Sequence, residues 1–204
     1  LLLAALERQD PLADAAAAAL AHLPGGGHTL VDAALHGDLR DAPPALQELL
    51  ASVAAYPAWV DWDRVDRGCA VFLRAGFAGG LVLGLRSLPY GYAAPAGNKP
   101  LVFSGRLAER APRRLAETAR FVAAVSEPGA LRRRDAGHAI TLKVRLMHAQ
   151  VRRLLLQSGR WDRARWSAPI NQHDMLATIF LFSQVFLDGL RLLGLGVSRG
   201  EGDD

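Results

Sequence analysis

The sequence predicts an all-α protein, folded as a single multi-helix globular domain over residues 1–204. Half of the 204 residues are apolar, so the chain can bury a sizeable core. Apolar residues recur three and four positions apart in several long segments, which is the periodicity of a helix that packs on one face. No convincing alternating strand pattern occurs outside the short run "LVFSG" at residues 101–105.

The N-terminal half is expected to contain three helical regions separated by proline and glycine. An alanine-rich helix over residues 1–24 ends at "PGGGH", and one helix or two short ones follow over residues 30–55, interrupted at "DAPP". The run "YPAWVDWDRVDRG" leads into a glycine-bearing helix that ends near residue 87. Gly76, Gly80 and Gly84 repeat every four residues along it. This spacing favours packing of a second helix, with close approach of a flat ligand as the alternative.

The C-terminal half is expected to contain longer helices. The run "LPYGYAAPAGNKP" predicts a loop. Helices are expected after it over residues 112–125, 138–157 and 172–193, before a polar tail. Asn171 can cap the last helix, and Asp174 three positions later is close to the capping-box pattern. His173 falls in the exposed first turn of that helix, where a structural role is expected.

Two apolar segments, residues 69–85 and 175–193, approach the minimum length of a membrane span. Charge interrupts both of them, at Arg74 in the first and at Asp188 in the second. We therefore expect no transmembrane segment and interpret both as buried helices of the domain. The N-terminal run "LLLAALERQD" lacks the features of a secretory signal peptide, which favours a cytoplasmic location unless a leader has been removed.

The charge pattern does not indicate a nucleic-acid partner. The net charge is +4, and only Lys99 and Lys143 among the 24 basic residues are lysines. The arginines are scattered and interleaved with acids instead of clustering, and no glycine-turned helix pair presents a basic recognition helix. Cys69 is the only cysteine of the sequence, which excludes an internal disulfide.

His148 lies within the apolar stripe of the helix expected over residues 138–157. A helical wheel places it among Thr141, Val144, Val151 and Leu155. The pattern alone favours a core histidine satisfied by a carbonyl, and a metal ligand is the alternative. No second histidine or cysteine follows at three or four positions, which excludes a helical two-histidine zinc site. A lone histidine is compatible with haem, which supplies four nitrogens of its own.

Arg114 and Thr118 lie four residues apart, and so on one face of the helix expected over residues 112–125. Phe121, Val122 and Val125 continue that face. An arginine on a largely apolar face can bind a carboxylate bidentately. The alternative is an arginine that reaches solvent and a threonine that bonds back to its own helix.

Four segments, in this order, resemble the latex clearing protein (rubber oxygenase) family, which includes the mycophenolic-acid-B-type oxygenases. They are "PAWVDWDRVDRG", "SGRLAERAPRRLAETARFV", "GHAITLKVRLMHAQVRRLL" and "APINQHDMLATIFLFSQVFLDGLRLLG", within residues 56–194. The most specific of them is "VRLMHAQVR", which contains His148. The "RxxxT" pattern of Arg114 and Thr118 lies about thirty residues earlier, as in that family.

The resemblance implies a domain, globin-like in general architecture, around a non-covalent haem b. It implies that His148 is the proximal iron ligand and that Arg114 and Thr118 line the haem pocket. It also implies an oxygenase that uses O2 to oxidise or cleave a small apolar substrate of the olefinic or isoprenoid class. We expect the second ring nitrogen of His148 to donate to a carbonyl or carboxylate.

The chain departs from the rubber-cleaving members at two positions. They carry a lysine just before the pocket threonine, where this sequence has Glu117, and a glutamate upstream, where it has "AGNKP". Glu117 is a candidate for handling protons if it is buried, and is merely solvated if it is exposed. The alternative to an enzyme is a non-catalytic haem- or lipid-binding helical module. Because the family domain continues with further helices, we also expect the catalytic domain to be incomplete at the C-terminus.

Overall fold

The computed structural model describes residues 2–103 and 111–204, and every regular element in these two ranges is helical. This confirms the all-α class. The helices are α1 (Leu2–Ala5), α2 (Pro11–Leu20), α3 (His28–Leu35), α4 (Pro44–Ser52), α5 (Trp62–Val82), α6 (Leu88–Tyr92), α7 (Lys99–Phe103), α8 (Ala111–Val125), α9 (Ala136–Gln157), α10 (Arg163–Trp166), α11 (Gln172–Phe182), α12 (Gln184–Leu192) and α13 (Arg199–Asp203). A π-helical segment, Leu83–Ser87, joins α5 to α6.

The N-terminal core forms where α2 packs against α4 and α9. Four residues of α2 at helical spacing are fully buried, namely Ala13, Ala16, Ala17 and Leu20. They meet Leu46 and Leu49 of α4 and Leu146 and Ala149 of α9. Three alanines on one face let the α2 backbone approach its neighbours closely, so that α9 is fixed along its middle.

Ion pairs reinforce this attachment of α9. Asp10 caps α2 through the Ala13 amide and also accepts two hydrogen bonds from the Arg145 guanidinium, at 2.5 and 2.9 Å. Asp32 of α3 pairs with Lys143 at 2.6 Å. Burial raises the pKa of the Asp10 carboxyl, but the Arg145 and Ala13 hydrogen bonds more than offset this, and the pKa lies below its usual value.

A second cluster forms where α5 packs against α12, around Ala75, Val82, Phe186 and Leu190. The prediction that the glycine row packs against a second helix is wrong. Within residues 2–103 and 111–204, no atom lies within 4 Å of a Cβ built at Gly80, Gly84 or Gly76. Gly76 has φ 48° and ψ −128°, which kinks α5 and turns the glycine row away from the neighbouring helix.

Close packing in this cluster uses two other glycines. Gly79 is buried, and a Cβ built there would lie 3.3 Å from the Phe186 ring. A Cβ built at Gly189 would overlap the Val82 side chain. One glycine on each helix therefore lets α5 and α12 approach each other.

The two long apolar helices are less buried than the sequence predicts. Trp62–Tyr92 and Gln172–Leu192 have mean hydropathies of 1.7 and 1.5, yet only 17% of each apolar window is buried. Both are long and apolar enough to cross a membrane, a test that core helices of soluble proteins also pass. Among the described residues, α12 packs against α5, while Leu73 and Phe77 of α5 and Leu85 of the π-helical segment are exposed.

The remaining differences from the prediction have local causes. The first helix divides at Pro11, which starts α2 with Asp10 as its cap. The last divides at Ser183, whose φ of −117° and ψ of −91° are not helical. The predicted 88–100 loop contains α6 and the start of α7, and residues 101–103 of the "LVFSG" run are helical, while residues 104–105 lie outside the described ranges.

Asn171 caps α11 as predicted, since its Oδ1 accepts a hydrogen bond from the Asp174 amide at 2.9 Å. His173 is half-buried, and its Nδ1 lies 3.3 Å from the Asp174 carboxylate. The predicted polar tail contains α13, which docks on α5 through Arg74 and Glu201, paired at 2.6 Å.

Candidate functional site

The helices α8 and α9 form an antiparallel hairpin, closest at Gly137. A Cβ built at Gly137 would lie 2.8 Å from the carbonyl oxygens of both Ala124 and Ala130. Real side chains do not approach backbone this closely, so the hairpin requires glycine at this position. The contact sets the register of the two helices.

This register brings the predicted site residues to one level. His148 follows Gly137 by 11 residues, about three turns, so it lies on the same face of α9, about 16 Å along the axis. Arg114 precedes Ala124 by 10 residues, or about 15 Å along α8 in the opposite direction. Arg114 and His148 therefore lie at similar heights, and Thr118 lies one turn nearer the hairpin connection.

Burial of the α8 side chains decreases with distance from the hairpin connection. Val122 is buried and Val125 half-buried, whereas every residue from 115 to 120 is exposed. Thr118 is exposed although its helix neighbours Arg114, Phe121 and Val122 are at least half-buried. Its hydroxyl makes no hydrogen bond to any described residue.

Glu117 does not share the environment of Arg114. Its side chain is 56% exposed and pairs with Arg113 at 2.8 Å, one turn back along α8. Glu117 is therefore not buried, as a proton-handling role would require. It is a solvated carboxylate, which was the alternative. Arg113, at 80% exposure, lies on the solvent side with it.

His148 is half-buried, and burial lowers the pKa of its imidazole. The nearby positive charge of Arg152 lowers that pKa further. Both effects favour neutral imidazole, the form that binds a metal. No described residue forms a hydrogen bond with either ring nitrogen, so the predicted bond to a carbonyl or carboxylate is not present in this part of the chain.

Arg152, one turn after His148, is held by a network that the sequence did not indicate. Its side chain is 3% exposed, and its guanidinium pairs with Asp14 of α2 at 2.7 Å. It also donates to the Ile170 carbonyl at 3.2 Å, in the connector before α11. The network fixes the backbone of α9 beside His148. An acid among the alanines of "ADAAAAAL" was the available signal, but its partner lies 138 positions away.

The donor set suits a cofactor that needs one protein ligand. Within residues 2–103 and 111–204, no three histidine, cysteine or acidic side chains are grouped so that they could hold a metal ion. His148, whose imidazole pKa is lowered and whose ring nitrogens have no hydrogen-bond partner among the described residues, could supply that one ligand. Arg114, half-buried on α8, could bind an acidic edge of such a group.

The comparisons with known proteins identify the family of the chain. The family model described as "ER-bound oxygenase mpaB/B'/Rubber oxygenase, catalytic domain" matches residues 62–204. The chain belongs to this family. The match includes α8, α9 and the connector before α11, and so all of the predicted site residues.

A curated relative in this family is the rubber oxygenase of Streptomyces sp. (strain K30). It is 27% identical to the chain over 174 residues, which cover 84% of this chain and 42% of the relative. The chain thus spans less than half the length of that relative. No solved structure matches the chain.

Proposed function

We propose that the chain forms part of a haem b-dependent oxygenase, which uses O2 to oxidise or cleave an apolar substrate. Membership of the family supports oxygenase chemistry, and the name of the Streptomyces relative suggests an olefinic or isoprenoid substrate. The observation that carries the proposal is His148, a half-buried imidazole that has a lowered pKa and no hydrogen-bond partner among the described residues. When bound, haem iron supplies the activation of O2.

His148 binds the iron through one ring nitrogen in this proposal. The Arg152–Asp14 pair holds the following turn of α9, which restricts the direction in which the imidazole points. The positive charge of Arg152 opposes protonation of His148, so the ring stays available as a ligand at neutral pH. Protein packing therefore sets both the orientation and the charge state of the ligand.

Arg114 and Thr118 lie on α8, the helix that packs against the His148 helix. Arg114 binds a carboxylate edge of the cofactor through its guanidinium, and Thr118 offers a hydroxyl that no described residue uses. The apolar substrate meets exposed apolar side chains, of which Leu115 on α8 and Met147 on α9 are 53% and 44% exposed. Apolar contact of this kind excludes water from a hydrocarbon ligand.

A non-catalytic haem- or lipid-binding module is the second candidate. Glu117 favours it, because this carboxylate is exposed and tied to Arg113 instead of being buried near a reacting group. Oxygen uptake separates the two candidates. Haem-loaded protein is incubated with squalene, a long apolar olefin, and with polyisoprene oligomers, and oxygen consumption is followed with mass analysis of the products. Oxygen consumption that depends on His148 supports the oxygenase. Haem binding without oxygen consumption supports the non-catalytic module.

Two neighbouring arginines test the placement of the cofactor. Arg114→Ala is expected to weaken haem binding about 10- to 100-fold, the effect of losing a charge-assisted hydrogen bond. Arg113→Ala is the matched control, because its guanidinium binds only Glu117 among the described residues and should leave haem binding unchanged. Thr118→Ala is expected to lower turnover more than haem content. Equal haem affinities in the two arginine variants would show that this face of α8 does not meet the cofactor.

A further inference from the structure

A cavity lies between α3, α4 and the start of α9, away from His148. Its volume is about 290 Å³, near the lower limit for small-molecule sites. Its walls are mostly apolar and include Ala34, Leu35, Leu50, Val53 and Leu142. His138, which lines it, precedes His148 by 10 residues, or about 15 Å along α9. The cavity is therefore separate from the proposed haem site.

Three basic side chains line the same cavity, Arg133, Arg134 and His138. Neither arginine forms an ion pair or hydrogen bond with any described residue. Nearby acids are already paired, since Asp38 binds Arg40 at 2.7 Å and Asp32 of α3 binds Lys143. Asp41 and Asp135 are exposed and do not line the cavity. The cavity thus combines an apolar wall with two exposed arginines that pair with no described acid.

Backbone strain at the rim supports a role for Arg134. Its φ is 72°, a left-handed conformation that is unfavourable for a residue with a side chain. The guanidinium lies over Gly37, so close that a Cβ built on that glycine would be 3.4 Å from Nη2. Gly37 itself lines the cavity. Glycine would adopt the backbone of Arg134 without strain, so an arginine at this position costs stability.

We propose that this cavity binds a small amphiphilic carboxylate, its apolar chain against α3 and α4 and its head group on Arg133 and Arg134. Guanidinium groups bind carboxylates through paired, charge-assisted hydrogen bonds. The α3 and α4 walls lie outside residues 62–204, the part matched by the oxygenase family. Arg133, Arg134 and His138 lie within that part, so the site spans both regions. The proposal does not rest on the proposed function.

Octanoate is the probe for this site. Its binding to the full chain is measured by calorimetry and by amide chemical shifts, with a dissociation constant expected on the order of 1 mM for a ligand of this size. Shifts are expected at residues 34–54 and 133–142. Acetate and octylamine should bind at least tenfold more weakly, because the first lacks the chain and the second lacks the negative charge. Octyl phosphate tests the head group.

Three variants distinguish a binding role from a structural one. Arg134→Gly should weaken octanoate binding at least fivefold and raise the melting temperature by about 2 °C, since it relieves the strained backbone. Ala51→Phe, from an exposed position that lines the cavity, should fill it and abolish binding with both arginines intact. Arg120→Ala is the control, an exposed arginine on α8 that should leave binding unchanged.

Several results would overturn the proposal. They are octanoate affinity unchanged in Arg134→Gly, octylamine bound as tightly as octanoate, or shifts confined to residues outside the cavity. Octyl phosphate bound tenfold more tightly than octanoate would overturn the carboxylate assignment. A lower melting temperature in Arg134→Gly would contradict the strain argument.

Discussion

Replacing Asp14 by alanine is expected to destabilise the domain by about 3 kcal/mol, because it leaves the Arg152 guanidinium buried without its counter-ion. The guanidinium is 3% exposed and lies 2.7 Å from the carboxylate. Removing one partner of a buried pair costs about 3–5 kcal/mol. The Asp14 side chain is 31% exposed, and the Ile170 carbonyl remains bonded to Arg152, which places the loss near the lower limit.

Asp32→Ala is the matched control for Asp14→Ala. Asp32 also joins an N-terminal helix to a cation of α9, at 2.6 Å from Lys143, but the two side chains are 55% and 49% exposed. Exposed pairs contribute about 0–1 kcal/mol. Urea unfolding followed by circular dichroism measures both variants. The double variant Asp14→Ala with Arg152→Met should recover most of the loss, because no buried charge remains.

Equal losses in Asp14→Ala and Asp32→Ala would refute this reasoning, since burial would then not distinguish the two pairs. A double variant no more stable than Asp14→Ala would show that packing of the guanidinium, instead of its charge, is what α9 requires. Haem affinity in the Asp14→Ala protein gives a further readout, because the pair holds the turn that follows His148.

Two further predictions concern packing and pH. Gly189→Ala should destabilise the protein by about 1–3 kcal/mol, because the added Cβ overlaps the Val82 side chain. Gly80→Ala, at a position with open space around it, should stabilise the helix by about 0.5–1 kcal/mol. Equal changes in the melting temperature of the two variants would contradict the observed packing. Asp10 has a lowered pKa in the folded protein, so its stabilising effect is present above its ordinary value of 3.8 and is lost as the pH falls through the folded-state pKa. Urea unfolding below about pH 4.5 should therefore show a smaller pH dependence in Asp10→Asn than in wild type, and an unchanged slope would count against the Arg145 pair.

Helix existence could be predicted from the sequence, whereas the contacts between helices could not. Apolar periodicity located most helices within a few residues, because it depends on near neighbours in the chain. The kink at Gly76 could not be read from the glycine spacing, since it depends on a backbone angle that glycine permits but does not require. In the structure, Gly79 and Gly189 make the close helix contacts that were expected of the glycine row.

The candidate site shows the same division. The spacing of Arg114 and Thr118 indicated a shared helix face, and the hairpin then brings Arg114 to the level of His148. The exposure of Glu117 depends on which side of α8 meets α9, which local sequence does not determine. Asp14 and Arg152 are separated by 138 positions, so only the folded chain shows them as partners.

Haem content of His148→Ala tests the central claim most directly. The purified protein, supplemented with haem, is expected to show a Soret band and to release haem b into acidic solvent. His148→Ala should lose most of that haem, while His138→Ala, another half-buried histidine on α9, should retain it. Full haem retention in His148→Ala, or an equal loss in His173→Ala, would contradict the assignment of His148 as the iron ligand.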